Sequence, residues 1–182
     1  MSAYCNRGWN RNREAKVKNM NKVNVLKQLT HFFLSAFMIL PLLTAVSCTS
    51  SAPQELTNNG KLWKDQGLRN YDFTLQRDCF CPEEWRGPVN IQVRNGAAVS
   101  VTYVSSGVVV TEGKFDKADT VDKLFTILKN AYDGKGDFEQ KAETINVTYN
   151  PQKGYPTTFY IDVSQTIADE EQGYTITNLI AR

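Results

Sequence analysis

Two cysteines one residue apart, Cys79 and Cys81 in the stretch DCFCPEEW, are the side chains most able to do chemistry in this 182-residue chain. A thiol pair at that spacing can form a disulfide, act as a redox couple or contribute two ligands to a metal. A redox couple works best with CxxC spacing and a helix N-terminus to depress one thiol pKa, and the sequence offers neither here. A metal would need Asp78, Glu83 or Glu84 to complete a tetrahedron, or copper(I) as the ion. A disulfide has a geometric condition. Side chains at i and i+2 of a regular strand stand about 6.6 Å apart, against roughly 3.8 Å between the Cβ atoms of a disulfide. A Cys79–Cys81 bond therefore requires the backbone to leave the strand, which Pro82 favours. A ring so small stabilises the fold little through chain entropy, so the bond would shape a corner. An oxidising compartment favours this disulfide over the other two.

Other groups fit chemistry less well. Asp162, Asp169, Glu170 and Glu171 carry enough carboxylate oxygen for calcium, but their spacing matches no EF-hand loop, and solvated turn charges account for them. The Glu83-Glu84 and Glu170-Glu171 pairs sit in expected turns, unlike the inward-facing acids of a glycosidase. Trp85, Tyr103, Tyr149, Tyr155, Tyr160 and Tyr174 could form an aromatic binding face; core and cross-strand packing is the simpler account. The only histidine is His31.

That histidine lies in a segment with its own logic. Lys and Arg are frequent up to Lys27, the twelve residues Phe32–Leu43 carry no charge, and small residues follow before Cys48. This is the layout of a secretory signal peptide, and the apolar run is shorter than the roughly 20 residues a spanning helix needs. Met20 would open a compact signal, so residues 1–19 read as an over-extended start, with a long basic region as the alternative. Ala45-Val46-Ser47-Cys48 resembles a bacterial lipobox, which makes Cys48 the expected lipidation site, with palmitate among its acyl chains, and residues 48–59 a flexible tether. Thr49 after the cysteine is not Asp, which by the Gram-negative sorting rule implies the outer membrane, facing the periplasm. Removal of residues 1–47 takes away the only histidine, and with it Ser-His-Asp, Cys-His and HExxH chemistry. Of 21 Lys+Arg and 19 Asp+Glu, that segment holds 7 and 1, leaving 14 and 18 and a net charge of −4. Nucleic acid is thereby a poor partner.

The elements that must position these groups are legible as periodicities. Leu62, Trp63 and Leu68 suit a short helix between Gly60 and Asn70. Tyr71, Phe73 and Leu75 alternate with polar residues as in a half-buried strand. Asn95-Gly96 between Val89, Ile91, Val93 and Val99, Val101, Tyr103 marks a type I′ hairpin. Val108–Val110 suits a further short strand or an edge cover. Thr120 can cap a helix that Gly134 ends, with Val121, Leu124, Phe125, Leu128 and Tyr132 on one face. Three alternating runs follow, around Ile145–Tyr149, Phe159–Val163 and Tyr174–Leu179. The expected architecture is one α+β domain over residues 60–182: an antiparallel sheet of about six strands with two helices on it, in the order of a possible αβββ repeat.

Taken together, the YDF strand leading into C-x-C, the Asn-Gly hairpin, the TVDKLF helix start, and the segment Tyr149, Asn150, Pro151, Gly154, Tyr155, Pro156, Asp162 resemble a family of bacterial lipoproteins classed only as a domain of unknown function. The resemblance covers Leu62–Leu179 and implies no catalytic residue, cofactor or metal. The expectation is a lipid-anchored, non-catalytic binding module with an envelope protein as partner; a periplasmic thiol-redox or metal-handling protein using Cys79 and Cys81 is the alternative.

Overall fold

The computed structural model describes residues 51–182; the signal segment, His31 and Cys48 lie outside the described residues. The element order is α1 (Ala52–Asp65), β1 (Tyr71–Cys79), a 3₁₀ turn (Glu83–Trp85), β2 (Val89–Arg94), β3 (Ala97–Tyr103), α2 (Val121–Asp133), β4 (Thr144–Tyr149), β5 (Pro156–Asp162) and β6 (Gln172–Ala181). The six strands form one antiparallel sheet in the order β3-β2-β1-β6-β5-β4. This is the expected α+β class.

The sheet is one-sided. Tyr71, Phe73 and Leu75 pair with Val93, Ile91 and Val89, while Leu75 pairs with Ile176 and Phe159 with Tyr174. Paired residues point to the same face, so these side chains make one apolar layer, and all are buried. Both helices lie on that layer. The Trp63 ring of α1 meets the Tyr71 ring edge-on at 5.3 Å, and the Tyr71 hydroxyl accepts a hydrogen bond from the Val121 backbone N–H at the start of α2, at 3.1 Å. The opposite face carries Thr74, Asn90, Thr158, Thr175 and Thr177, the polar members of the alternation.

Helix α1 begins eight residues before the expected Gly60 and occupies most of the expected tether. In its polar N-terminal half Thr57 Oγ1 donates to the Pro53 carbonyl and Asn59 Nδ2 to the Glu55 carbonyl, both 2.9 Å, and Leu56 anchors that half on the core. Pro53 suits a first turn, where its missing N–H costs nothing. Leu56 and Trp63, seven residues apart, put one stripe on the core, and Gly60 between them faces the Phe125 ring of α2. The helix stops at Gln66, before the expected Asn70.

Helix α2 starts and ends as expected: the Thr120 side chain accepts from the Lys123 N–H, and Gly134 closes it in the left-handed region. Asn95 and Gly96 both have positive φ, as a type I′ turn demands. Val108–Val110 covers the outer edge of β3, with the Tyr103 N–H bonding the Val108 carbonyl and the Val110 N–H bonding the Val101 carbonyl, each 2.9 Å. In β6 the apolar positions Tyr174 and Ile176 are followed by Leu179 rather than residue 178; a bulge at Asn178, whose φ is 54°, returns Leu179 to the core side.

The halves repeat in element order only. Both run the same way across the sheet, with helices on the same face, but their strand directions are opposite. Superposing one αβββ unit on the other would need a reflection, which no rotation supplies.

Two residues hold layers together, and each yields an expectation. Gly154 in the β4–β5 turn has φ +80°, and a Cβ there would stand 2.4 Å from the Asn59 carbonyl oxygen and 3.0 Å from the Trp63 nitrogen. Gly154→Ala should destabilise the fold by about 1–3 kcal/mol or more, read as a lower chemical-denaturation midpoint. Burial pushes the Tyr71 hydroxyl from 10.0 up to about 12, against the lowering by the Val121 N–H. A raised pKa stabilises the folded state below pH 10.0, and that stability is lost as pH rises toward about 12. Tyr71→Phe should lose stability near neutral pH, because Val121 N–H is left without its acceptor, and flatten the loss above pH 10.0 in alkaline unfolding.

Candidate functional site

The core layer is not closed at one end. Past Leu75 the inward alternation of β1 continues to Arg77, whose register partner on β6 is Tyr174. A charged residue thus takes a core-facing position. Its guanidinium carbon lies 5.7 Å from the centre of the Tyr174 ring, which in turn stacks on Phe159 at 4.6 Å. Arg77 Nη2 makes a long 3.5 Å bond to Gln172 Oε1, an oxygen that also accepts from the Tyr174 hydroxyl at 3.1 Å. Arg77 Nε is buried with no hydrogen-bond partner.

Around this end of the sheet lies a cavity of about 330 Å³. Arg77, Gln172 and Tyr174 reach it from the sheet, Ile127 and Asn130 from α2, Lys114 and Phe115 from the β3–α2 connection, Phe138 from beyond α2, and Trp85 from the 3₁₀ turn. The Lys114 side chain is only 20% exposed, and its nearest carboxylate is Glu84 at 4.0 Å. Lys117, also on the wall, is committed to Asp137 at 2.6 Å. Three cations and one anion on the wall give the cavity a net +2, in a chain whose residues beyond 47 sum to −4. Aromatic walls beside under-partnered cations suit an anion with an apolar body.

The cysteine pair belongs to this neighbourhood. The Cys79 and Cys81 sulfurs are joined, with Cα atoms 5.3 Å apart. The Cys81 N–H bonds the Cys79 carbonyl at 2.9 Å, so the chain leaves the strand there, and the Arg77 N–H bonds the Arg86 carbonyl at 2.8 Å as the chain returns. Between these points the corner carries Trp85 to the cavity wall and leaves Phe80 80% exposed.

The remaining candidates are dispersed. No group of three His, Cys, Asp or Glu among the described residues is placed to hold a metal. Glu170 accepts from the Val163 and Ser164 N–H groups, so it ties the β5–β6 connection. Burial, with Glu170 and Glu171 nearby, holds the Asp162 carboxyl above the ordinary carboxylate range. Tyr155 packs on Trp63, Tyr149 stacks on Phe125, the Tyr103 hydroxyl donates to the Glu84 carbonyl, and Tyr160 lies on the open face. Of the six expected aromatics, Trp85 and Tyr174 meet at this cavity. The Asn150–Pro156 segment is a turn: Asn150 Oδ1 accepts from the Gln152 and Lys153 N–H groups, at 3.0 and 2.9 Å. Sequence reasoning passed over Arg77, although extending the Tyr71-Phe73-Leu75 alternation by one step locates it.

A one-sided six-stranded antiparallel sheet with two helices and an end cavity defines the class: a small α+β domain. Residues 55–181 match the family model described as "Family of unknown function (DUF6174)", and the chain belongs to that family. No curated protein and no solved structure matches it.

Because the Cys79–Cys81 ring closes few residues, Cys79→Ser with Cys81→Ser should cost less than about 2 kcal/mol of stability. The same change should alter the Trp85 signal in aromatic NMR spectra while leaving the Trp63 indole unmoved. Two alkylatable thiols in air-oxidised protein would show the corner open.

Proposed function

We propose that this chain is a cell-envelope lipoprotein, anchored through lipid on Cys48, whose folded domain is a non-catalytic binding module that takes its ligand in the Arg77 cavity. The observation that carries the reading is Arg77, a half-buried cation on the wall of an aromatic cavity whose buried Nε has no acceptor. Asp119 Oδ1, Tyr149 Oη and Asp162 Oδ1 are also buried without a hydrogen-bond partner, but of these four residues only Arg77 lies on this cavity wall, where a ligand could supply the missing acceptor. The basic and apolar N-terminal segment and the Ala45–Cys48 lipobox support the anchor. No helix among the described residues is long and apolar enough to cross a membrane. Helix α1 begins at Ala52, so three residues separate it from Cys48, a reach of at most about 14 Å. A lipid there would hold α1 close to the bilayer, facing the periplasm from the outer membrane.

The test has two parts. Palmitate labelling of the full chain should disappear in Cys48→Ala, and the variant should leave the membrane fraction; unlabelled wild-type protein would overturn the anchor. Protein extracted in mild detergent should carry a small-molecule adduct in native mass spectrometry that Arg77→Met and Trp85→Ala lose. An adduct that survives both changes, or none in the wild type, would overturn the binding module.

A further inference from the structure

We infer that the Arg77 cavity recognises a carboxylate carried on a flat or apolar body. The inference deepens the binding-module reading and rests on it. Nε and Nη2 form one edge of a guanidinium, with two N–H vectors parallel and spaced to match the two oxygens of a carboxylate. At Arg77 that edge has no strong partner: Nε is unpaired but shielded from solvent, and Nη2 has only the 3.5 Å bond to Gln172, so a carboxylate engages both once the side chains at this wall shift. Gln172 Oε1 already accepts from the Tyr174 hydroxyl, so it can yield Nη2 without losing its other donor.

The surroundings select among anions. A phosphate carries about two charges and is usually met by several backbone N–H groups or a cluster of fully available cations. Here Lys117 is spent on Asp137, which leaves Arg77 and the half-committed Lys114. One bidentate edge with one auxiliary cation balances a single carboxylate. The rest of the wall, Trp85, Phe115, Ile127, Phe138 and the Tyr174 ring, offers surface to a hydrocarbon or aromatic body. At about 330 Å³ the space lies at the low end of the ligand-pocket range of roughly 300–1,000 Å³. It suits a small acid or the last residue of a peptide, not a nucleotide or a complete lipid.

Those two sources share the same chemistry, and calorimetry with the full chain in detergent separates them. The probes are 3-phenylpropanoate, the tripeptide Ala-Ala-Phe with a free C-terminus, the amide of each, and phenyl phosphate. At least one acid should bind about tenfold or more tighter than its amide. Binding of 3-phenylpropanoate alone identifies a free acid as the source, and binding of the tripeptide a chain terminus. Arg77→Met should abolish binding. Arg77→Lys keeps the charge but loses the paired edge, and should weaken binding at least about fivefold. Lys114→Gln, a change on a connection and not in the sheet, should weaken it by about two- to threefold and serves if the Arg77 variants do not fold. Amide or phenyl phosphate binding as tightly as the acids overturns the carboxylate assignment and leaves the binding module standing. Undiminished binding in Arg77→Lys also overturns it. No binding by any probe overturns the assignment, and if native mass spectrometry shows no adduct either, the binding module falls with it.

Discussion

The pairing of β1 with β6 is the constraint on which the rest of the molecule depends. It joins the first strand to the last, with Leu75 opposite Ile176 and Arg77 opposite Tyr174. Without it the chain would hold two three-stranded meanders, each with half an apolar layer and a single helix, too small to bury a core alone. With it, Tyr71 stands where both helices can reach one ring, Trp63 by its edge and Val121 by its N–H. The cavity is a product of the same seam, since the residues that define its floor, Arg77, Gln172 and Tyr174, come from opposite ends of the sequence. Such non-local pairing is slow to form, because loop closure must precede any contact that rewards it.

What the sequence shows and hides follows from that division. Local patterns are carried by neighbouring residues, so the Asn95-Gly96 turn, the Thr120 cap and the Gly134 stop are all readable from residue types a few positions apart. Helix α1 is readable only in part. Its outer half is Gln, Thr and Asn, a composition that also describes a tether, and what commits it to helix is tertiary: Leu56 packs on the core. The order of strands is hidden because alternation tells a strand which face is inward, not which neighbour it takes. The reflection between the two αβββ halves is hidden for the same reason: element order is identical whether a second meander runs with the first or against it.

The cysteine corner shapes one wall of the cavity. Cys79 and Cys81 close a ring too small to hold the fold, yet the ring lies where β1 must turn back toward β2 within a few residues. The return path brings the Arg86 carbonyl to the Arg77 N–H and Trp85 to the cavity wall. Fixing the corner therefore fixes an aromatic wall beside the guanidinium. Chain entropy misses this contribution, because its gain is local order at two side chains, not global stability.

Arg77 itself is a costly feature of this sheet. An apolar residue there would extend the Tyr71-Phe73-Leu75 stripe and seal the end of the core, and the backbone pairing with Tyr174 would survive unchanged. The guanidinium instead leaves a buried N–H without an acceptor, a penalty of about 1–3 kcal/mol. Stacking on the Tyr174 ring returns about 0.5–2 kcal/mol, which is of the same order as that penalty. Nothing in the fold requires that exchange. Side chains that weaken a core without a structural return collect where a protein meets its ligand. The proposed ligand site would account for the position of Arg77, inward on the central seam and beside the Tyr174 ring, where packing of the core alone does not.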